Sequence, residues 1–164
     1  MNREILFRAK SIQTDRWISG YCFEDEDNKS YIGYMSKKRY IPDTRDWDIA
    51  EYYENNPTYN WVFVKEEVVS ETVGEYTGLT DMNGTKIFEN DILQVNYHGN
   101  EIGRVCIYYK FAMYLCSTIC GDIDFDTLGM LNANYQLEVI GNVYDNPELI
   151  TVVENSGNEE DVNA

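Results

Sequence analysis

The chain has 164 residues, of which 43% are hydrophobic, so it is long enough for one sizeable core or two small ones. It carries 29 Asp and Glu against 13 Lys and Arg, and the resulting charge of −16 excludes the basic groove that ordinary nucleic-acid binding requires. No apolar run approaches the roughly 18 residues of a membrane span, and the opening MNREILFRAK lacks the apolar core of a signal peptide, so we expect a cytoplasmic protein.

The first part of the chain predicts a group of β-strands. Strands are expected at Glu4–Lys10, at Trp17–Phe23, where side chains alternate between two faces, and at Tyr31–Met35. The acidic run Glu24–Asn28 lies between the last two strands and predicts an exposed hairpin loop. A metal site in this loop would need further ligands that the sequence does not place.

An irregular insert occupies about residues 36–60. Pro42 and Pro57 interrupt it, and only Asp46–Glu54 has helical spacing, so we expect a long connection with one short helix. The insert begins with the basic cluster Lys37-Lys38-Arg39, which is either solubilising charge or a phosphate-binding site. A strand is expected to resume at Trp61–Val69, completing an N-terminal β region over residues 1–70.

The pair Asn83-Gly84 predicts a β-hairpin between Tyr76–Leu79 and Lys86–Phe88. Both central positions of a type I′ turn need a positive φ, which Asn tolerates and Gly adopts without penalty. The acidic and amide residues here resemble a calcium loop only superficially, because Gly84 directly follows the second candidate ligand instead of the third.

The C-terminal region, residues 71–150, reads as a succession of short strands. Their spacing predicts a small, partly open β-barrel in a mainly β chain. The strands are expected at Ile92–Tyr97, Ile102–Tyr109, Met113–Thr118, around Ile123–Leu128, and at Gln136–Val143. Residues 151–164 lack apolar periodicity and are acidic, so we expect a disordered tail.

Three segments of the chain resemble the YopX family. The stretch VGEYTGLTDMNGTKIFENDILQV, residues 73–95, is similar to the family's signature segment, and REILFRA near the start and LEVIGNVYDNPEL near the end agree in order and position. The resemblance spans nearly the whole chain. It implies a phage or prophage setting, a YopX-like fold and assembly as a homo-oligomer, but it implies no reaction.

The four cysteines are expected to be reduced core residues. Cytosolic thiols are normally reduced, and Cys116 and Cys120 stand in the apolar stretch MYLCSTIC. A zinc site would need Cys22 and Cys106 to converge on them, and neither belongs to a CxxC knuckle. Redox and disulfide roles stay open as minor alternatives, and no cofactor is expected.

An acidic trio stands at Asp122, Asp124 and Asp126. These residues alternate with Ile123 and Phe125, so in a strand the three carboxylates would project from one face. On an exposed face their repulsion costs little, whereas a buried face would require a cation, a basic partner or raised pKa values. A solvated face is the simplest interpretation, with a basic protein partner and a metal as alternatives.

The single histidine, His98, lies in the turn-like segment NYHGNE. General acid–base or nucleophilic machinery usually places His beside Ser, Cys or a carboxylate. The chain contains no GxSxG, HExxH, P-loop or zinc-deaminase pattern. We therefore predict that the protein is not an enzyme, and an enzyme that uses carboxylates alone stays a lesser alternative.

Fourteen tyrosines make the chain rich in aromatic side chains. Aromatic residues favour β-strands and also contribute large areas at interfaces with little loss of entropy, so both roles are open. The tyrosines that would form subunit or partner contacts if exposed are Tyr31, Tyr34, Tyr40, Tyr52, Tyr53, Tyr59, Tyr108 and Tyr109.

These observations predict a non-enzymatic phage or prophage accessory protein that works as a homo-oligomeric binding module. Its service would be host interaction or counter-defence, by binding a host protein or by sequestering a small nucleotide between subunits. The alternative is an acidic mimic of nucleic acid that binds a host DNA-binding protein, and an unrecognised carboxylate-based enzyme is third. The candidate partner-binding residues are Lys37, Lys38, Arg39, Asp122, Asp124 and Asp126.

Overall fold

The computed structural model of the chain describes residues 4–121, 123 and 127–150. Two compact units divide the chain between Tyr76 and Thr77. Both are antiparallel and mainly β, which confirms the predicted fold class. No helix in the described part of the chain is long and apolar enough to cross a membrane.

The first unit is an antiparallel sheet with one helix inserted between its third and fourth strands. The elements are β1 (Phe7–Lys10), β2 (Trp17–Glu24), β3 (Ser30–Arg39), α1 (Trp47–Asn55), β4 (Tyr59–Glu67), a 3-10 turn (Ser70–Thr72) and the start of β5 (Gly74–Thr80), a strand that crosses the boundary between the units. The strand order is β4-β3-β2-β1-β5, and the first residues of β5 pair with β1.

The sheet curls because the end of β4 returns to the end of β1. The amide of Ile12 donates to the carbonyl of Glu67 at 3.1 Å, and the amide of Val69 donates to the carbonyl of Lys10 at 2.9 Å. One side of the strands therefore lies inside the curl. Its centre is a small apolar core of Ala9, Ile32 and Val68.

The second unit contains β6 (Lys86–Phe88), β7 (Asp91–Tyr97), β8 (Asn100–Lys110), β9 (Met113–Gly121), α2 (Leu128–Asn134), β10 (Gln136–Asn142) and a 3-10 turn (Pro147–Leu149). Four of its strands form an antiparallel sheet in the order β10-β7-β8-β9, which packs with α2 and with the hairpin that ends at β6. Where a partly open barrel was predicted, the described residues form this sheet.

The predicted strand around Ile123–Leu128 is wrong at its C-terminal end. Residues 122 and 124–126 lie outside the described residues, while Leu128 begins α2. Thr127 caps this helix by accepting a hydrogen bond from the amide of Met130 at 3.4 Å. Only Leu128 and Leu131 of α2 are buried. Two buried positions in seven residues are too weak a periodic signal to detect a helix in the sequence.

The hairpin at Asn83-Gly84 is present, but its turn is not the predicted type I′. Asn83 does not adopt a positive φ; only Gly84 does, at +82°. The amide of Gly84 donates to the carbonyl of Asp81 at 3.0 Å, so Met82 and Asn83 are the central residues. Positive φ at both central positions occurs instead at His98-Gly99, between β7 and β8.

Candidate binding surface

Asp81, in the segment that resembles the YopX signature, stabilises the fold. Its Oδ1 atom accepts the amides of Asn83 at 2.9 Å and Thr85 at 2.8 Å, and its Oδ2 atom accepts the amide of Val139 in β10 at 3.0 Å. Burial opposes ionisation of this carboxyl, but the three backbone donors outweigh it and lower the pKa of Asp81 below its usual value. Asp81 thus attaches the hairpin turn to the sheet.

Two more residues of the family-like segments have the same kind of role. Asp91 is completely buried and accepts the amide of Phe88 at 2.7 Å. Asn142 accepts the amides of Tyr144 and Asp145, each at 3.0 Å, and shapes the turn after β10. Polar side chains used up by backbone donors are poorly available to a ligand. The binding chemistry must therefore be sought elsewhere in the chain.

The basic cluster predicted from the sequence does not converge. Successive strand residues point to opposite faces, so Lys38 lies on the face opposite to Lys37 and Arg39. The Lys37 Nζ atom lies 5.1 Å from the ring centroid of Trp61. Arg39 donates from Nη2 to the carbonyls of Tyr53 and Glu54, at 3.2 and 3.0 Å, and so caps the C-terminus of α1.

One face of the first-unit sheet collects cations and aromatic rings, and we call it the basic aromatic face. Paired residues of antiparallel strands project to the same side, so the strand register defines its members. They are Arg8, Lys10, Trp17, Ser19, Tyr21, Phe23, Tyr31, Gly33, Met35, Lys37, Arg39, Tyr59, Trp61, Phe63, Lys65 and Glu67.

The rings of Phe23, Tyr31 and Phe63 lie close together on this face, near Gly33. Phe23 and Tyr31 are stacked, with centroids 5.7 Å apart and an interplanar angle of 17°. The Lys65 Nζ atom lies 3.7 Å from the Tyr31 centroid and 5.5 Å from that of Phe23. A Cβ atom at Gly33 would lie 2.4 Å from Cζ of Phe63 and 3.1 Å from Cε1 of Phe23. Glycine at this position lets the rings approach the strand.

The local charge of the face is opposite to that of the chain. It holds Arg8, Lys10, Lys37, Arg39 and Lys65, five of the 13 Lys and Arg in the sequence. Its strands contribute one of the 29 carboxylate residues, Glu67, while Asp15 and Asp25 contact Lys10 and Tyr31 from the flanking turns. Cations therefore outnumber carboxylates on this face, although the whole chain carries −16, and the face can attract an anion locally.

The most exposed rings of the face are Tyr21 on β2, which is 69% exposed, and the rings on β4. Trp61 and Phe63 are 62% and 61% exposed. The sequence interpretation missed both as site residues, together with Lys65, although the alternation in YNWVFVKEE was a usable signal. The predicted contact tyrosines differ in exposure: Tyr40, Tyr52, Tyr59 and Tyr109 are exposed, while Tyr31, Tyr34, Tyr53 and Tyr108 are half-buried.

The insert between β3 and β4 adds a second apolar surface. The predicted helix is confirmed as α1, and Asp46 caps it by accepting the amide of Asp48 at 3.0 Å. None of its residues is buried, and Trp47 is 87% exposed. Between α1 and the end of β3 lies a cleft of about 220 Å³, lined by Arg39, Tyr40, Ile41, Pro42, Ala50, Tyr53 and Glu54.

The acidic loop Glu24–Asn28 is an exposed hairpin loop, as predicted. Asp25 Oδ1 accepts the amides of Asp27 and Lys29, each at 3.0 Å. The Tyr31 hydroxyl donates to Asp25 Oδ2 at 2.8 Å. This hydrogen bond to the carboxylate, together with partial desolvation, raises the pKa of Tyr31 to about 12.

The remaining candidates contribute no assembled site. Asp122, Asp124 and Asp126 lie outside the described residues. Within residues 4–121, 123 and 127–150, no three His, Cys, Asp or Glu side chains are grouped so that they could hold a metal ion. All four cysteines are free thiols, and Cys116 packs in the core of the second unit. Burial raises the pKa values of the Cys22 and Cys106 thiols, which disfavours their reactive thiolate forms.

Comparison with known proteins identifies the family. No curated protein matches the chain significantly. Among solved structures, the chain is similar to the crystal structure of protein EF1440 from Enterococcus faecalis, with a TM-score of 0.53, 21% sequence identity, and coverage of 92% of this chain and 100% of that one. This identity shows a shared fold alone. The family model described as YopX protein matches residues 6–151. The chain therefore belongs to the YopX family.

Proposed function

We propose that this protein is a non-enzymatic, homo-oligomeric binding module of a phage or prophage, and that the basic aromatic face is its recognition surface. The observation that carries the proposal is the concentration of cations and exposed rings on one sheet face of a strongly acidic chain. Such a face binds an anion that also presents a flat ring.

The ligand we propose is a small nucleotide, sequestered as a form of counter-defence. Its base would stack on the exposed ring of Trp61 or Phe63, and its phosphates would meet the ammonium groups of Lys37 and Lys65, which now rest against neighbouring rings. A long nucleic acid is disfavoured, because it would extend from the face over the rest of a chain that carries −16.

A binding role also agrees with the chemistry of the described groups. His98 lies in the turn between β7 and β8, where its ring centroid is 4.2 Å from that of Tyr97. Asp81, Asp91 and Asn142 accept backbone hydrogen bonds. The face itself presents cations and rings, which are groups suited to holding an anion.

The test is a titration of the full chain with mono-, di- and cyclic dinucleotides, in which binding is measured by calorimetry and by tryptophan fluorescence. We expect at least one nucleotide to bind and to quench fluorescence, because Trp61 lies on the face and is exposed. Replacement of Lys37 or Lys65 by Ala should weaken binding more than about tenfold.

Lys110 supplies a matched control. Its Nζ atom lies 5.0 Å from the Phe111 ring in the second unit, so Lys110→Ala removes a similar cation over a ring without changing the face. Affinity should be unchanged in this variant. Absence of binding by every nucleotide at millimolar concentration, or equal losses of affinity in all three lysine variants, would contradict the proposed site.

The second candidate function is acidic mimicry of nucleic acid toward a host DNA-binding protein, which the charge of −16 favours. A pull-down from host lysate separates it from the nucleotide proposal. A mimic should capture a basic protein, release it as salt rises, and keep its affinity when Lys37 and Lys65 are replaced.

A further inference from the structure

We propose that β4 of one copy pairs antiparallel with β4 of a second copy, so that the two sheets become continuous. This inference rests on the homo-oligomeric part of the proposed function and names the interface that assembly would use. Within the first unit β4 is an edge strand, with β3 as its sheet neighbour. An edge strand presents backbone donors and acceptors to any further strand.

The ladder with β3 shows which backbone groups of β4 point outward. The amide of Val68 donates to the Ser30 carbonyl, and the amide of Tyr40 donates to the Thr58 carbonyl. Antiparallel ladders alternate hydrogen-bonded and non-hydrogen-bonded pairs, so the even-numbered residues of β4 bond to β3. The outward backbone groups therefore belong to Tyr59, Trp61, Phe63, Lys65 and Glu67. The Glu67 carbonyl already accepts a hydrogen bond from the Ile12 amide, and the backbone amides and carbonyls of the other four residues point away from β3 along the open edge.

This edge lacks most of the features that normally prevent strands from associating. The strand runs for nine residues, contains no proline, and pairs with β3 without a register shift. Edge strands are usually protected by proline, bulges, several charges or a covering element. The charged residues of the strand, Lys65, Glu66 and Glu67, lie at its C-terminal end. Between Tyr59 and Val64 there is no charged residue, and Trp61 and Phe63 are exposed.

The outer half of β4 also lacks support from a third strand. The pairing of β2 with β3 ends at the pair Tyr21 and Gly33, whereas β3 and β4 stay paired as far as Arg39 and Tyr59. The outer part is thus a two-stranded ribbon, and isolated two-stranded ribbons are marginally stable in water. A second copy on the edge would supply the missing strand.

A two-fold axis at Val62 gives the pairing a favourable register. Trp61 of each copy then lies opposite Phe63 of the other, and Tyr59 lies opposite Lys65, so the pairs on the basic aromatic face join two rings or a ring and a cation. No like charges are opposed. Paired residues project to the same side, so the basic aromatic face would extend across both copies and form one larger recognition surface.

Residue-resolved hydrogen exchange of the full chain tests the pairing. The amides of Trp61, Phe63 and Lys65 should be protected at high protein concentration and lose protection on dilution. The amides of Val62 and Val64 bond to β3 in either state, so they are internal controls. Outward amides that exchange freely at a concentration where native mass spectrometry shows an oligomer would overturn this interface while leaving assembly intact.

Two substitutions at one position test the same edge. Phe63→Pro removes an outward amide that the β3 ladder does not use, whereas Phe63→Ala removes the ring but keeps the amide. We expect the proline variant to weaken dimerisation more than about tenfold relative to the alanine variant. Equal dimerisation of the two variants would refute backbone pairing. Because both variants remove the Phe63 ring, nucleotide titration of the unsubstituted chain reports separately on the recognition surface, so failure of the interface and failure of the proposed ligand are distinguishable.

Salt dependence provides a third readout. Each copy carries −16, so their repulsion should be screened by salt and dimerisation should tighten as sodium chloride rises. Nucleotide binding to the same protein should weaken under these conditions, because it relies on attraction between opposite charges. A dimer that dissociates as salt rises would indicate an interface held by ion pairs and would contradict pairing through β4.

Discussion

Replacement of Asp81 by Ala should destabilise the second unit, because one buried side chain satisfies three backbone amides. Those amides belong to Asn83, Thr85 and Val139, at donor–acceptor distances of 2.9, 2.8 and 3.0 Å. Asp81 is 7% exposed, so water replaces these contacts only in part. A hydrogen bond to a charged group contributes about 1.5 to 3 kcal/mol, and we expect a net loss of about 3 kcal/mol.

The assay must report on the second unit. Tryptophan fluorescence does not, because Trp17, Trp47 and Trp61 all lie in the first unit. Native-state hydrogen exchange of the β7 and β10 amides measures the free energy of unfolding there, and about 3 kcal/mol corresponds to roughly hundredfold faster exchange. First-unit amides in the same sample are the reference and should change little.

Asp25→Ala is the matched control for this prediction. Asp25 also accepts two backbone amides, but it does so in an exposed hairpin loop of the first unit. Water can replace its contacts, so exchange in the first unit should accelerate much less. A loss below about 1 kcal/mol for Asp81→Ala, or equal losses for the two variants, would refute the assignment of Asp81 as the attachment of the hairpin to β10.

The pH dependence gives an independent check on Asp81. Its pKa is lower in the folded protein than the ordinary value of 3.8, so the folded state favours the ionised carboxyl. The associated stability is fully present above about pH 4 and is lost as the pH falls through the folded pKa. Below about pH 4 the free energy of unfolding of the Asp81→Asn variant should fall less steeply with pH than that of the unsubstituted chain. Urea unfolding at a series of pH values, monitored by circular dichroism, measures this difference.

Three smaller predictions follow from local geometry. In Gly33→Ala the added Cβ would lie 2.4 Å from the Phe63 ring, so we expect the ring to move and nucleotide binding to weaken with little loss of stability. In Gly20→Ala the added Cβ would lie 2.2 Å from a backbone carbonyl, so the free energy of unfolding in urea titrations should fall by about 2 kcal/mol or more. Ala112→Gly should raise that free energy by about 1 kcal/mol, because Ala112 adopts a φ of +60°; an unchanged melting temperature would count against strain in this turn. Asp25→Asn should lower the pKa of Tyr31 from about 12 toward 10, as measured by NMR of the Tyr31 ring. An unchanged pKa of Tyr31 would disprove the hydrogen bond to Asp25 as the cause of the raised value.

Local patterns were sufficient for several parts of the fold. Alternating side chains predicted the strands of the first unit, and helical spacing over Asp46–Glu54 predicted α1. The hairpin around Gly84 was predictable because only a few residue types adopt a positive φ without strain. These features depend on residues close together in the chain, so the sequence contains the necessary information.

Features that depend on distant residues were not predictable in the same way. The turn at Asn83-Gly84 is set by Asp81, whose second oxygen bonds to the amide of Val139, 58 residues away. The Lys37-Lys38-Arg39 run looks like one cluster in the sequence, yet strand geometry places Lys38 on the opposite face from its neighbours. Arg39 in turn donates its hydrogen bonds to the C-terminal carbonyls of α1.

The chain alone therefore determined the class of the fold, most of its strands and its family. Only the tertiary structure decided which side chains share a surface, because that depends on the register between strands. Lys65 is paired with Gly33 in β3, and Gly33 is paired with Tyr21 in β2. Tyr31 and Phe23 are the next residues on the same face of β3 and β2, so the register brings their rings to Lys65. A shift of one residue would send every one of these side chains to the opposite face.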